Sequence, residues 1–198
     1  MRTARYRAVA LGVSTGGVEA LRCLLPALPA DFSLPLLIVI HIAPGAGDGL
    51  AVLLDQLAGI RVKEADEGEA ICDGVAYLAP ADYHLLVEPD GRLGLSTDPP
   101  VSYARPSVDV LFESAAAYFG AGLIGVVLTG AGSDGARGLQ RISALGGYTI
   151  VQQPHDARMA AMPGNALARV KADREVRLAE LPAVLAQLAN PEGLCTAR

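Results

Sequence analysis

The run Ala8-Val9-Ala10-Leu11-Gly12-Val13-Ser14-Thr15-Gly16-Gly17 decides the fold of this chain. Its apolar half is typical of a buried strand, and it ends abruptly in a turn of hydroxyl-bearing and glycine residues. Apolar residues at helical spacing follow, from Val18 to Leu28. A strand, a tight turn and a helix with a serine at the junction is how α/β enzymes present a nucleophile. The run therefore predicts an α/β fold with Ser14 at the carboxyl end of a strand.

The turn after this strand is suited to holding an anion. Backbone N–H groups at the start of a helix have no partner within the helix and carry partial positive charge. They can bind a phosphate, or the oxyanion formed when Ser14 attacks a carbonyl. The residues match neither a P-loop nor a G-x-G-x-x-G fingerprint, and 12–16 fit the G-x-S-x-G pattern only loosely. The turn alone leaves open a catalytic site, an anion site and a structural turn.

The composition indicates one globular domain. The chain has 198 residues, of which 52% are hydrophobic and 19% charged, enough for one core. The net charge of −5, with no basic block after the first seven residues, argues against nucleic acid as a partner. No apolar run is long enough to insert into a membrane, and no signal peptide is expected. Three cysteines without C-x-x-C spacing favour a reducing compartment, hence the cytoplasm, and no structural zinc.

Predicted strands alternate with predicted helices. Strands are expected at 6–13, 34–40, 61–64, 123–128 and 148–152. Helices are expected at 17–25, 48–57, 108–119, 136–145, 162–170 and 181–188. Turn signals separate three further short strands at 75–78, 84–87 and 92–95. The pattern predicts a doubly wound, mostly parallel sheet with helices on both faces and a small antiparallel β insertion at about 74–97.

Three polar residues follow predicted parallel strands: Ser14, His41 and Asp134. Open α/β sheets bind their ligands at that edge. Together these residues are the parts of an activated nucleophile, because a histidine can take the serine proton and an aspartate can orient the imidazole. Their order along the chain differs from the orders in α/β-hydrolases, chymotrypsin and subtilisin. Spacing alone also allows a structural alternative, in which His41 merely ends a strand and Asp134 caps a helix.

Other polar residues have more modest expected roles. Thr15 and Arg105 lie in loops that can face the same edge. Ser107 is expected to cap the helix that follows it, and His84 to lie on the surface of a strand. A solvated loop, rather than a metal site, is expected for the acidic cluster Asp66, Glu67 and Glu69.

Several motifs together resemble the catalytic domain of CheB, the chemotaxis protein-glutamate methylesterase family. These motifs are Gly12-Val13-Ser14-Thr15-Gly16-Gly17, His41-Ile42-Ala43-Pro44-Gly45, Arg105-Pro106-Ser107-Val108-Asp109-Val110-Leu111-Phe112, Leu128-Thr129-Gly130-Ala131-Gly132-Ser133-Asp134-Gly135-Ala136 and Met162-Pro163. They occur in the family's order and span nearly the whole chain, from residue 6 to about residue 190. Several unrelated motifs that match together are far more specific than any one of them.

The resemblance implies a fold, an activity and a set of roles. Ser14 would be the nucleophile, His41 the general base and then acid, and Asp134 the orienting carboxylate. The implied substrate is a γ-glutamyl methyl ester on the cytoplasmic region of chemoreceptors, hydrolysed to glutamate and methanol. The family can also deamidate particular glutamines, and no cofactor is implied.

The resemblance also implies an oxyanion site made of backbone N–H groups. One would come from Thr15 or Gly16 and another from the turn around Ala131. Family members commonly carry methionine where Ala131 stands, so the choice of substrate can differ if that side chain shapes the pocket.

A second departure concerns the phosphorylatable receiver domain that usually precedes this domain in the family. The strand before Ser14 begins by residue 6, which leaves no room for it. We therefore expect residues 1–198 to form a single methylesterase-like catalytic domain. Such a domain is either regulated in another way, for example by a separate regulatory protein, or is the catalytic part of a longer chain.

The sequence thus predicts a cytoplasmic serine esterase that acts on methylated glutamates of chemoreceptors or a related signalling protein. Two alternatives stay open: a hydrolase of small esters or amides, and a non-catalytic module that binds an anion or nucleotide at the Ser14 turn. A covalent fluorophosphonate adduct on Ser14 would exclude the non-catalytic module.

Overall fold

A computed structural model describes residues 5–42 and 49–190, and within these ranges the chain forms a parallel sheet of seven strands. Its strands are β1 (Ala8–Val13), β2 (Leu36–Ile40), β3 (Arg61–Glu64), β4 (Val75–Leu78), β7 (Leu123–Val127), β8 (Tyr148–Gln152) and β9 (Arg174–Val176). A separate antiparallel ribbon consists of β5 (His84–Val87) and β6 (Leu93–Ser96). The predicted doubly wound fold class is therefore confirmed.

Helices cover both faces of this sheet. They are α1 (Gly17–Leu24), α2 (Leu50–Leu57), α3 (Val108–Phe119), α4 (Ala136–Ala144), α5 (Ala161–Arg169) and α6 (Leu181–Ala189). One core lies beneath α1, α2 and α6 and the other beneath α3, α4 and α5. Alternate residues of β1 supply the two cores, with Leu11 in the first and Ala10 in the second. A strand buried on both faces needs a continuous apolar sequence, and for this reason the apolar runs of the sequence predicted the central strands.

The order of the strands determines where a site can form. The sheet runs β3-β4-β2-β1-β7-β8-β9, so the chain winds outward from β1 to one side and later returns to its other side at β7. A crevice opens at the carboxyl ends of strands where the winding direction reverses, and ligands of doubly wound folds bind there. Ser14 follows β1, His41 follows β2, and the turn containing Asp134 follows β7.

The predicted bounds of the antiparallel insertion, about 74–97, are too wide, because β4 belongs to the main sheet. It pairs in parallel with both β2 and β3, and Tyr77 is almost fully buried. A crossover between parallel strands usually contains a helix, but the connection between β3 and β4 contains none. Without a helical pattern between them, the sequence does not distinguish a strand of the main sheet from a strand of a hairpin. The antiparallel element is therefore confined to β5 and β6.

Smaller differences lie at the ends of elements. The three-residue strand β9 was not predicted, and short 3-10 turns follow α1 at Leu25–Ala27 and α3 at Gly120–Gly122. Asp48, where the second helix was expected to begin, and Ala43 to Gly45 of the His41 motif lie outside the described residues. No helix in the described ranges is long and apolar enough to span a bilayer.

Candidate active site

Ser14 is held between two strand ends. Its backbone N–H donates to the Thr129 carbonyl at 2.9 Å, and its own carbonyl accepts the Gly17 N–H at 2.7 Å. Gly16, the N-cap residue of α1, has φ of 83°, a left-handed conformation that a glycine adopts without a steric penalty. The turn therefore projects a half-buried serine side chain over the carboxyl edge of the sheet.

His41 joins Ser14 to Asp134. The imidazole Nδ1 lies 3.2 Å from the Ser14 hydroxyl oxygen, and Nε2 lies 2.8 Å from Oδ2 of Asp134. An ionised carboxylate can only accept, so these partners assign the proton to Nε2 and a lone pair to Nδ1, toward the serine. The two nitrogens have the opposite roles in the trypsin-like triad, so the ring is reversed here. The structure thus brings together the three residues predicted to be catalytic.

Asp134 is almost completely buried and accepts four hydrogen bonds. Besides His41, the donors are the Val108 N–H at 2.7 Å, the Asp109 N–H at 2.9 Å and the Ser107 hydroxyl at 2.8 Å. These groups form the N-terminus of α3, where a negative charge is stabilised by free N–H groups and the helix dipole. Asp134 therefore does cap a helix as well as contact His41, but the capped helix is α3.

The pKa of Asp134 follows from these contacts. Burial raises the pKa of a carboxyl, but the hydrogen bonds from His41 and from the Asp109 and Val108 N–H groups outweigh it. The net result is a pKa below the ordinary value for aspartate, so the group stays charged beside His41. Ser107 is the N-cap residue of α3, as predicted, but its side chain makes no capping hydrogen bond and donates to Asp134 instead.

The predicted oxyanion donors lie beside Ser14. Within the described ranges, neither the Thr15 nor the Gly16 N–H donates to a protein acceptor. On the other turn, the Gly130 N–H is already bonded to the Met159 carbonyl at 3.1 Å, which leaves the exposed Ala131 as the candidate donor. The two turns are in contact, since a Cβ on Gly130 would lie 2.9 Å from the Ser14 Cβ. Oxyanion binding by Thr15, Gly16 and Ala131 stays a prediction.

This contact makes Gly130→Ala damaging to activity. The added methyl group would collide with Ser14 and Met162, and the backbone cannot retreat because the Gly130 carbonyl also accepts the Met162 N–H at 2.9 Å. We expect kcat to fall on the order of a hundredfold, the usual cost of displacing a reacting group by about 1 Å. Gly132→Ala is the matched control, because a Cβ there meets no atom closer than 4.0 Å. Equal activity of the two variants would contradict this packing.

Arg105 lies in the same cleft as His41. The two residues line a cleft of about 420 Å³ together with Ile42 and the turn 102–104. The Arg105 guanidinium donates to Oδ1 of Asp82 at 2.7 Å and to the carbonyls of Thr97 and Asp98. These bonds fix the loop on which Arg105 lies, and its predicted contact with substrate stays a prediction.

Two residues make contacts that the sequence did not predict. Thr129 donates its hydroxyl to the Thr15 carbonyl at 2.9 Å and accepts the Met159 N–H at 3.0 Å, so it joins three loops of the site. His84 was expected on a surface, but its side chain is buried against the residues that precede α3. The position of Thr129, directly after the most apolar predicted strand, could have indicated a role at the site. The contacts of His84 are with residues far along the chain, which sequence pattern does not predict.

Two carboxylates of the acidic cluster are paired with a lysine. Lys63 donates to Asp66 at 2.7 Å and to Glu69 at 2.8 Å, which neutralises part of the cluster. Across residues 5–42 and 49–190, no group of three or more His, Cys, Asp or Glu side chains is placed to hold a metal ion.

Comparison with known proteins gives a consistent result. Residues 9–185 match the sequence model of the family described as CheB methylesterase. A Leptospira interrogans protein (serovar copenhageni, strain Fiocruz L1-130), provisionally named a protein-glutamate methylesterase/protein-glutamine glutaminase, is 42% identical over 183 residues, covering 92% of this chain and 95% of that protein. The crystal structure of the Thermotoga maritima CheB methylesterase catalytic domain is 32% identical with a TM-score of 0.88, covering 92% of this chain and 98% of that one.

Other relatives are longer. A Geobacter metallireducens protein-glutamate methylesterase/protein-glutamine glutaminase is 45% identical over 168 residues, which are 84% of this chain but 48% of that protein. The chain thus spans nearly all of the Leptospira relative and about half of the Geobacter one.

Proposed function

The chain belongs to the CheB methylesterase family, and from this premise we propose that it hydrolyses γ-glutamyl methyl esters on a chemoreceptor or a related signalling protein. The observation that carries the proposal is the contact of one imidazole with both the Ser14 hydroxyl and the Asp134 carboxylate. Deamidation of glutamine is a second proposed activity, because the relatives' names pair it with methylesterase. The substrate region is cytoplasmic in chemoreceptors, so we also propose a cytoplasmic location.

The first half of the proposed reaction forms an acyl-enzyme. Ser14 Oγ attacks the ester carbonyl carbon while Nδ1 of His41 takes the hydroxyl proton. The resulting imidazolium keeps its Nε2–H bond to Asp134, whose negative charge stabilises it. Backbone N–H groups of Thr15 or Gly16 and of Ala131 stabilise the oxyanion. When the tetrahedral intermediate collapses, Nδ1–H gives its proton to the departing methoxide, and methanol leaves.

The second half reverses these roles. Nδ1 of His41 takes a proton from water, which attacks the acyl carbonyl carbon. When the second tetrahedral intermediate collapses, the bond to Ser14 Oγ breaks, Nδ1–H of His41 returns the proton to that oxygen, and glutamate is released. An amide follows the same route, with ammonia in place of methanol. The carboxylate of Asp134 stays ionised throughout, which is the role that its lowered pKa supports.

A protein substrate needs a docking surface, and we propose that Tyr103 provides part of it. This side chain is fully exposed (104%), an unusual state for an aromatic residue, at the tip of the turn beside the His41 cleft. Ser102 and Tyr103 both have positive φ, 51° and 62°, and the turn is closed by two hydrogen bonds between Val101 and Ala104. Non-glycine residues persist in that conformation only where the surroundings enforce it, often at functional sites.

Tyr103→Ala should therefore separate binding from chemistry. We expect KM for a methylated receptor fragment to rise about tenfold, as loss of an aromatic anchor commonly does, with kcat unchanged. For a small glutamate γ-methyl ester both constants should stay at the wild-type value. Leu57→Ala, at the C-terminal end of α2, is a control that also removes an exposed apolar side chain, one that is 40% exposed. An equal rise in KM for both substrates would contradict docking by Tyr103.

The function itself is tested on a methylated chemoreceptor fragment. Mass spectrometry of its peptides before and after incubation should show loss of one methyl group at each site attacked, with methanol released in equal amount. A small ester that is hydrolysed while the fragment keeps every methyl group would instead indicate a general esterase.

A further inference from the structure

His84 is buried at the start of β5, with only 1% of its surface exposed. Its Nε2 lies 3.3 Å from the Pro99 carbonyl oxygen, and its Nδ1 lies 3.2 Å from the Ser107 backbone nitrogen. One imidazole thus joins the segment after the β5–β6 ribbon to the residue that precedes α3. The ribbon itself does not join the seven-stranded sheet.

These two partners leave the ring one protonation state. A carbonyl oxygen can only accept, so Nε2 must carry a hydrogen. A backbone N–H can only donate, so Nδ1 must offer a lone pair. His84 is therefore held as the neutral Nε2–H tautomer, an assignment made from its hydrogen-bond partners.

We propose that His84 is a positioning residue for Asp134 and acts through Ser107, an inference that rests on the function proposed above. His84 accepts the Ser107 N–H, and the Ser107 hydroxyl donates to Oδ1 of Asp134 at 2.8 Å. The other oxygen of that carboxylate holds His41. A continuous chain of hydrogen bonds therefore runs from His84 to the Ser14 hydroxyl.

This chain of hydrogen bonds acts through the start of α3. Ser107 is completely buried, so loss of its acceptor would leave a buried N–H without a partner, a costly state that the backbone relieves by moving. Ser107, Val108 and Asp109 are consecutive and supply three of the four hydrogen bonds to Asp134. A shift of Ser107 therefore displaces the carboxylate that orients His41.

Two substitutions of similar size distinguish this role from packing. In His84→Asn the side-chain oxygen reaches the place of Nδ1 and can still accept the Ser107 N–H. In His84→Gln the amide reaches the place of Nε2 and can still donate to Pro99, but the Ser107 N–H loses its acceptor. We expect His84→Gln to lower kcat about tenfold or more with KM nearly unchanged, and His84→Asn to restore most of it. If His84 only fills space, both substitutions should lower kcat to the same extent.

The rate of Ser14 phosphonylation by a fluorophosphonate measures activation of the serine without any natural substrate. Slower labelling of His84→Gln than of His84→Asn supports the inference, and equal rates overturn it. If wild-type Ser14 is not labelled at all, the proposed function fails, which is a distinguishable result. Nitrogen NMR of the wild-type imidazoles provides a second test that needs no variant: a neutral Nε2–H tautomer of His84 supports the inference, and a protonated or Nδ1–H ring overturns it.

Discussion

Replacing Ser14 with alanine should reduce ester hydrolysis by a factor on the order of 10⁴–10⁶. The hydroxyl is the atom 3.2 Å from Nδ1 of His41, so its removal leaves the imidazole with no nucleophile to deprotonate. Binding of the methylated fragment should change little, because the surrounding turn is held by backbone atoms through the Ser14 N–H and carbonyl. The expected signature is therefore a collapse of kcat with an almost unchanged dissociation constant, measured as methanol release and as equilibrium binding.

Ser143→Ala is a suitable control for this variant. Ser143 is an exposed serine on α4, outside the carboxyl edge of the sheet, and its loss should leave kcat unchanged. Hydrolysis by Ser14→Ala near the wild-type rate would contradict covalent catalysis and would point to direct attack by water.

Asp134→Asn should have the next largest effect, a loss of about 10⁴ in kcat, as for the corresponding change in the serine-protease template. An asparagine can present its N–H₂ group to His41, which would drive the imidazole to the wrong tautomer. It also offers one acceptor oxygen where the carboxylate offers two, although three donors from the start of α3 converge there. We therefore expect both activity and stability to fall, measured as kcat and as the free energy of unfolding in urea.

The pH dependence of that stability has a definite sign. The pKa of Asp134 is lower in the folded protein than in the unfolded chain, so its charge stabilises the fold above the unfolded pKa of about 3.9. This contribution disappears as pH falls through the folded pKa. The stability difference between wild type and Asp134→Asn should thus be largest near neutral pH and shrink in acid. A difference that is constant, or that grows in acid, would contradict the assigned charge.

Asp55→Asn provides a control for these measurements. Asp55 also accepts a backbone N–H, that of Val62 at 2.7 Å, but it lies on α2 away from His41. Its replacement can cost some stability but should leave kcat at the wild-type value.

Much of the fold was accessible from the sequence because its central strands are buried on both faces. Such strands have no polar side to interrupt them, so β1, β2, β7 and β8 stand out as apolar runs with abrupt polar ends. The abrupt ends also located Ser14, His41 and Asp134, since parallel strands bring their carboxyl ends to one edge. The family resemblance was confirmed by comparison, whereas the individual catalytic roles stay predictions.

The features that were not predicted from the sequence depend on contacts between distant segments. The strand β4 is short and reached without a helix, so local pattern could not distinguish it from a hairpin strand. The capping of α3 by Asp134 joins residues 26 positions apart, and the bond from His84 to Ser107 joins residues 23 apart. Propensity and periodicity describe neighbours along the chain, and neither can pair such groups.

Hydrolysis of the methylated receptor fragment in heavy-oxygen water tests the central claim most directly. Attack at the ester carbonyl carbon, followed by hydrolysis of the acyl-enzyme, places the heavy oxygen in the glutamate carboxylate and leaves the methanol unlabelled. That distribution, lost when Ser14 is replaced by alanine, is the result we predict. Heavy oxygen in the methanol, or a fragment that keeps every methyl group while Ser14 reacts normally with a fluorophosphonate, would contradict it.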